Sequence, residues 1–165
     1  MHESVFDRTA PKPDLYAALV RSLQSLIGDE SDALAHLANS AALVWEALPG
    51  INWAGFYVLR GEELVLGPFQ GKPACVRIPV GKGVCGTAAR KRETVVVEDV
   101  NRFPGHIACD TASRSEIVVP LVSGDRLIGV LDVDAPKVGR FDDDDRRGLE
   151  AVGAILAAKI PAGGI

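Results

Sequence analysis

A chain of 165 residues with a formal net charge of −4 is long enough for one domain with a sizeable core of its own. The negative balance argues against a nucleic-acid partner or an anionic membrane surface, because either would favour a basic face. No apolar run approaches the roughly 20 residues that span a bilayer, and the first residues lack the pattern of a signal peptide. We therefore expect a cytoplasmic protein with no membrane partner.

Helical periodicity predicts four segments. After an N-terminal arm (1–13), a first helix is predicted over residues 14–26, and a second begins after Ser31, a good N-cap. A short third helix starts near Val84, and a run of acids from Asp142 opens the last one, since acids suit the positive end of the helix dipole. The apolar stripe predicted for the second helix consists of Leu34, Leu37, Ala38, Ala41, Val44, Trp45 and Leu48.

The period changes to two from residue 51 onwards, which is typical of strands. Two hairpins are predicted, one joining 51–59 to 63–69 and the other joining 117–122 to 126–134. Further strands are predicted over residues 74–80 and 94–97. Consecutive hairpins predict a mainly antiparallel sheet with helices packed against it, an α+β fold. We expect a single domain over residues 14–160, followed by a short tail (161–165).

The three cysteines favour a reducing compartment, because an odd number does not make a framework of structural disulfides. Structural zinc needs four ligands at short paired spacings, and the cysteines are too scattered for that, even with His106 as a fourth ligand. We expect neither a metal nor a cofactor. The cysteines are Cys75, Cys85 and Cys109.

An unusually long connection covers residues 98–115, and connections of that length inside a compact domain are usually functional or disordered. Cys109 lies there among polar residues and near His106, which favours a reachable, reactive thiol. Cys85 opens the predicted third helix, where the helix dipole favours a thiolate. Burial as a small apolar residue is an equally open interpretation of Cys85.

Three carboxyl groups lie at the ends of apolar strands that are predicted to pair. Asp132 and Asp134 end one strand, and Glu116 begins its neighbour. If the three converge, loss of solvation raises their pKa values, so that they can donate protons at neutral pH. The alternative is that they are ordinary solvated strand ends.

Two aromatic residues, Trp53 and Tyr57, share one strand face with Gly55 between them. A glycine in that position leaves a gap that a ligand can occupy. Ordinary core packing explains the same pattern, and periodicity alone favours it.

The chain also resembles the free methionine-(R)-sulfoxide reductases over about residues 15–158, with all three cysteines in motif positions. That resemblance implies the GAF fold, a six-stranded antiparallel sheet flanked by helices. It also implies reduction of free methionine sulfoxide, recycling by thioredoxin and a homodimer. The matching segments are Asn52–Tyr57, Gly67–Pro79, Gly83–Ala88, Gly105–Asp110, Ser113–Val118 and Gly129–Asp134.

The resemblance also implies a role for each thiol. Cys109 would attack the sulfoxide sulfur, Cys75 would resolve the product as a disulfide, and Cys85 would be an auxiliary thiol that can also form a disulfide. Two departures from the family pattern, Ala135 for a serine and Pro73 for an apolar residue, remove no catalytic group.

The remaining site residues implied by the resemblance bind the substrate. Glu116 and Asp134 would hold the sulfoxide oxygen and supply protons, and Asp132 would bind the ammonium group. Backbone N–H groups around Ile107 and Ala108 would take the carboxylate. The side-chain methyl would lie against Trp53 and Tyr57.

Two other functions fit part of the sequence. A GAF domain that only binds a small molecule is one, although three cysteines in motif positions have no role in it. A thiol-based redox sensor is the other, and it would oxidise without specificity for a sulfoxide. His106 is expected to shape the loop rather than to act as a base, because the acids can supply the protons.

Overall fold

The computed structural model describes residues 6–107 and 110–161, so the predictions for Ala108 and Cys109 lie outside the described residues. Six strands form one sheet: β1 Trp53–Arg60, β2 Glu63–Gly71, β3 Arg77–Pro79, β4 Val95–Val97, β5 Ser115–Ser123 and β6 Arg126–Ala135. Their order is β3-β2-β1-β6-β5-β4, and every neighbouring pair is antiparallel. The helices are α1 Lys12–Ile27, α2 Ala33–Ala47, α3 Gly83–Lys91 and α4 Asp143–Lys159, with a short 3-10 turn at Val100–Arg102. This confirms the predicted α+β fold and both hairpins.

Two layers of side chains cover the sheet, one on each face. Helices α1, α2 and α4 pack on one face, and α3 packs with the connecting loops on the other. The alternation along β1 sorts its residues between these layers, because successive side chains point to opposite faces. Ala54 and Phe56 join the three-helix layer, whereas Trp53 and Tyr57 join the α3 layer. The predicted period of two is therefore confirmed.

The prediction for α2 is wrong in two respects. Asp32, not Ser31, is the N-cap, and its side chain accepts a hydrogen bond from the Ala35 amide at 2.8 Å. The buried face also differs from the predicted stripe, since Leu34 and Trp45 are 55% and 37% exposed. Of the predicted stripe, the residues buried against the sheet and α1 include Leu37, Ala41, Val44 and Leu48, and unpredicted residues are buried as well, among them Ala33, Leu43 and Ala47.

The strand predicted over residues 74–80 is wrong in its first half, because β3 covers only Arg77–Pro79 and one further backbone hydrogen bond, from the Leu66 amide to the Val76 carbonyl, is the last contact with β2 on this side. The preceding residues turn away from the sheet edge towards β1. Two aromatic donors of β1 hold them: Trp53 Nε1 donates to the Lys72 carbonyl at 3.1 Å, and the Tyr57 hydroxyl donates to the Cys75 carbonyl at 2.9 Å. Cys75 therefore lies in a loop, half-buried, beside the α3 layer.

The acids that begin α4 form a capping box, as their position predicts. Asp142 accepts hydrogen bonds from the amides of Asp144 and Asp145, and Asp145 accepts one from the amide of Asp142. Asp145 is fully buried and also pairs with Lys12 and Arg140. Its Oδ1 also accepts a hydrogen bond from the Tyr16 hydroxyl at 2.9 Å, so one carboxylate joins α1 to α4. None of the helices in the described residues is both long and apolar enough to cross a membrane.

Candidate active site

A pocket opens on the α3 side of the sheet, where β1, β5 and β6 lie side by side. Its floor is made by Cys85 and the three acids Glu116, Asp132 and Asp134. The two aromatic rings of β1 line it, and its rim comes from two loops, with Pro73 and Ala74 on one side and His106, Ile107 and Asp110 on the other. The rim residues flank the sites of Cys75 and Cys109 in the sequence.

The three acids converge because of the strand register. Glu116 lies directly opposite Asp134 across β5 and β6, and Asp132 lies one pleat further along the same face. Glu116 and Asp132 are each 6% exposed, so they are not solvated strand ends. Burial raises the pKa of Glu116 well above its ordinary value, and the neighbouring charges of Asp132 and Asp134 raise it further.

Asp134 behaves in the same way as Glu116. Burial raises its pKa well above the ordinary value, and repulsion from Asp132 and Asp110 adds to the effect. Two facing carboxyl groups with raised pKa values hold their protons to a higher pH than ordinary carboxyl groups, which suits them to donate hydrogen bonds or protons to an oxygen bound between them.

The pKa of Asp132 is also raised, to about 7, and the cause is burial. Hydrogen bonds with Cys85 and Glu116 oppose that rise. Its Oδ2 atom accepts the contact from Cys85 Sγ, whereas Oδ1 is buried and has no hydrogen-bond partner among the described residues. An unpaired buried carboxylate oxygen is costly, and a bound cation satisfies it.

Cys85 is a buried, free thiol on the pocket floor. Its Sγ lies 3.3 Å from Asp132 Oδ2 and 3.8 Å from Glu116 Oε1. Burial and these two carboxyl groups raise the pKa of the thiol well above its ordinary value. Of the two open interpretations of Cys85, burial is the one that the structure favours: loss of solvation and two acids outweigh the helix dipole, and Cys85 is a protonated donor rather than a thiolate.

The aromatic wall is continuous. The ring centroids of Trp53 and Tyr57 lie 5.9 Å apart, and Phe69 stacks on the other side of Trp53 at 5.3 Å. The space beside Gly55 holds the Phe69 side chain and the Trp53 ring, since a Cβ on Gly55 would lie 2.3 and 2.7 Å from them. Of the two interpretations of Gly55, ordinary core packing, which the periodicity favoured, agrees with these distances, and a ligand gap at this glycine does not.

His106 lies at the pocket rim with its Nε2 3.8 Å from Glu116 Oε2. Burial lowers the pKa of the imidazole, which favours the neutral form. A neutral ring beside the protonated acids does not act as a strong base. This is consistent with the prediction that His106 shapes the loop, which remains to be tested.

Sequence patterns did not identify the residues that hold the loop after Cys109. Asn52 Nδ2 donates to Ser113 Oγ at 3.0 Å and to Asp110 Oδ2 at 3.4 Å. Lys72 Nζ reaches the same Asp110 oxygen at 3.6 Å, so the loop before Cys75 contacts the loop after Cys109. These contacts join residues about 40 to 60 positions apart in the sequence, which no local pattern reveals.

Residues 29–160 match the family model described as the GAF domain, so the fold and the site belong to a GAF-domain protein. The free methionine-R-sulfoxide reductase of Escherichia coli (strain K12) is 56% identical over 145 residues, covering 88% of this chain and 88% of that protein. The reductase of Saccharomyces cerevisiae (strain ATCC 204508 / S288c) is 44% identical over 153 residues, with 88% and 85% covered. This chain belongs to the free methionine-R-sulfoxide reductase family.

A solved structure supports the same assignment. The free methionine-R-sulfoxide reductase of Neisseria meningitidis in complex with its substrate superimposes with a TM-score of 0.92 at 48% identity. The match covers 96% of this chain and 95% of that chain.

Proposed function

We propose that this protein reduces free L-methionine-(R)-sulfoxide to L-methionine. The observation that carries the proposal is the cluster of buried, proton-retaining acids on the pocket floor, bounded by loops that flank Cys75 and Cys109. Reduction of a sulfoxide needs an acid at the oxygen while a thiol attacks the sulfur, and this pocket places acids beneath those two loops.

The oxygen of the sulfoxide is held between Glu116 and Asp134. Both carboxyl groups line the pocket and have raised pKa values, so in this proposal they donate hydrogen bonds to the oxygen and then a proton as the S–O bond weakens. The side-chain methyl lies against Trp53 and Tyr57, whose buried rings exclude water from the reacting sulfur.

The amino-acid part of the substrate needs a cation partner and an anion partner. Asp132 binds the ammonium group, because its Oδ1 is buried without a partner among the described residues. The substrate carboxylate binds backbone N–H groups around Ile107, at the pocket rim, and Ala108. A free amino acid satisfies both ends of this pocket, whereas a methionine sulfoxide within a chain lacks the two charged groups.

The electrons come from two thiols. The Cys109 thiolate attacks the sulfur, methionine leaves, and Cys109 becomes a sulfenic acid. The Cys75 thiol condenses with the sulfenic acid, releasing water and forming a disulfide, which the dithiol of thioredoxin reduces by exchange. Cys85 is an auxiliary thiol in this scheme.

Contacts between the two loops support the pairing of Cys75 with Cys109. Disulfide formation requires Cα atoms within roughly 7 Å of each other. The residues on either side of these cysteines meet at the pocket, since Lys72 contacts Asp110 and both Ala74 and Ile107 line the cavity. The resolving step therefore needs little movement of the backbone.

A homodimer in the cytoplasm is part of the proposal and rests on the family resemblance. Leu34 and Trp45 lie on the exposed side of α2, eleven residues apart and thus on one helix face. An exposed apolar stripe of this kind suits contact with a second copy. Light scattering on the wild type and on Trp45→Glu measures the stoichiometry; a wild-type monomer contradicts the dimer.

The experiment that tests the function supplies each epimer of free methionine sulfoxide separately, with thioredoxin, its reductase and NADPH. We expect NADPH oxidation with the R epimer and none with the S epimer. Consumption of the S epimer, or no consumption of either, contradicts the proposal. Oxidation by peroxide without turnover of the sulfoxide supports a redox sensor instead.

Two variants separate the thiol roles. Cys109→Ser is expected to release no methionine. Cys75→Ser is expected to release about one equivalent in a rapid burst and then stop, because the sulfenic acid forms but lacks its resolving partner. A full burst of methionine from Cys109→Ser would show that another residue is the nucleophile.

A further inference from the structure

The pocket floor brings together three ligand atoms of the kinds that bind a thiophilic divalent cation. Cys85 Sγ, one Glu116 oxygen and one Asp132 oxygen all lie within 4.8 Å of one another, and all three residues are buried. A thiolate with two carboxylates suits zinc or cobalt better than magnesium or calcium, which prefer oxygen ligands alone.

The separations between these atoms fit tetrahedral coordination. Bonds of about 2.3 Å to sulfur and about 2.0 Å to oxygen at the tetrahedral angle place the two ligand atoms about 3.5 Å apart. Cys85 Sγ lies 3.3 Å from Asp132 Oδ2 and 3.8 Å from Glu116 Oε1. The two distances bracket that value, so an ion enters with small side-chain movements.

A second, independent observation points to a cation at this place. Asp132 is 6% exposed and lines the pocket, and its Oδ1 has no hydrogen-bond partner among the described residues. Oδ1 is thus an unsatisfied acceptor on a carboxyl group whose other oxygen, Oδ2, takes the thiol contact, and a cation bound by this carboxyl group compensates the missing hydrogen bond.

We propose that the reduced protein binds one zinc-like divalent cation through Cys85, Glu116 and Asp132, with the fourth position open to the pocket. The metal–ligand bonds form as the Cys85 thiol and the Glu116 and Asp132 carboxyl groups release any protons that they hold to the solvent, and no electron is transferred. The site itself does not rest on the proposed function. The functional consequence of the site does rest on the proposed function: the ion occupies the place of the substrate ammonium and oxygen, so it inhibits turnover reversibly.

Cobalt(II) is the probe that tests the site, because a thiolate bound to it produces a charge-transfer band in the near ultraviolet. Reduced, metal-free protein titrated with Co²⁺ is expected to develop this band with one equivalent, and Zn²⁺ is expected to abolish it by displacement. Cys85→Ser is expected to lose the band and to bind Co²⁺ at least about 10-fold more weakly, because a ligand is lost.

The other two thiols provide matched controls, since Cys75→Ser and Cys109→Ser each remove a cysteine outside the proposed ligand set and are expected to retain the band. Asp132→Asn is a second ligand variant in case Cys85→Ser does not fold, and it is expected to weaken Co²⁺ binding by a similar factor. A band that persists in Cys85→Ser, or that disappears in Cys109→Ser, overturns the proposal. So does a reduced wild type that shows no band.

A competition arm separates this inference from the proposed function. Cys109→Ser does not turn over, so free methionine-(R)-sulfoxide can be added to it during the Co²⁺ titration. We expect the sulfoxide to raise the Co²⁺ concentration at half-saturation. A normal band without competition supports the metal site and contradicts the position proposed for the substrate ammonium.

Discussion

Replacing Asp132 by asparagine is expected to stabilise the protein more at alkaline than at acidic pH. The pKa of Asp132 is about 7 in the folded protein, against an ordinary value of 3.8. A carboxyl group with a raised pKa binds its proton more tightly when folded. The stability that it contributes is fully present below about pH 4 and is lost as the pH rises through about 7.

The magnitude follows from the difference between the two pKa values. About three pH units correspond to about 4 kcal/mol of unfolding free energy at alkaline pH. More than half of this loss falls between pH 5 and pH 8. The amide in Asp132→Asn does not ionise, so the free energy of unfolding of the variant does not fall with pH for this reason. Removing the negative charge of Asp132 also relieves its repulsion of Glu116 and Asp134, which further stabilises the variant relative to the wild type at alkaline pH.

A cost that does not depend on pH accompanies the change. The amide group in place of Oδ1 has no partner among the described residues, which costs about 1–3 kcal/mol at every pH. The variant is therefore expected to be less stable than the wild type at pH 5, and this difference in the free energy of unfolding is expected to shrink or reverse as the pH rises. The slope with pH, not the value at one pH, tests the argument.

Urea unfolding at constant ionic strength, from about pH 5 to pH 8, measures this slope in both proteins. Asp125→Asn, in the exposed turn between β5 and β6, is the matched control and is expected to follow the wild type. Parallel curves for Asp132→Asn and the wild type refute the burial argument. The same variant is expected to raise the KM for the sulfoxide by about 10- to 100-fold, because a charge-assisted contact with the ammonium is lost.

Three further predictions, made with five substitutions, concern the site and the core. Glu116→Gln is expected to lower kcat by about 10²- to 10⁴-fold through loss of a proton donor, and His106→Asn by less than about 10-fold; equal losses contradict the division of roles. Tyr57→Phe removes the hydrogen bond to the Cys75 carbonyl and is expected to slow disulfide formation. The first burst of methionine, measured by rapid quench, is expected to be preserved, and a smaller burst contradicts this. Gly148→Ala places a Cβ 2.1 Å from the Tyr16 ring and is expected to lower the free energy of unfolding by about 1–3 kcal/mol. The control in the same helix is Gly153→Ala, whose Cβ would lie 3.1 Å from Val119 and 3.3 Å from Leu121, and it is expected to change that free energy by less than about 1 kcal/mol.

Elements with a strong period were predicted well from the sequence. The alternation along β1 and the two hairpins determined the sheet, because a period of two is a local property of the chain. The position of the acids at the strand ends also predicted their convergence, because pairing of β5 with β6 brings Glu116 opposite Asp134. The second helix was predicted in position but not in its buried face, because that face depends on what packs against it.

The failures lie where tertiary contacts override local preference. The segment before Arg77 leaves the sheet because Trp53 and Tyr57 bind its carbonyls. The Cys85 thiol is protonated because two acids from other strands and complete burial outweigh the helix dipole. Both effects join residues far apart in the sequence.

The sequence by itself determined the α+β architecture, the family and the set of chemical groups available to the site. Tertiary structure decided their states. Burial, which exists only once β5, β6 and α3 meet, raises the pKa of Asp132 to about 7, and burial together with the charge of Asp132 raises the pKa values of Glu116 and Asp134 well above their ordinary values. A pKa depends on the dielectric and the charges around a group, and neither is written in the order of residues along the chain.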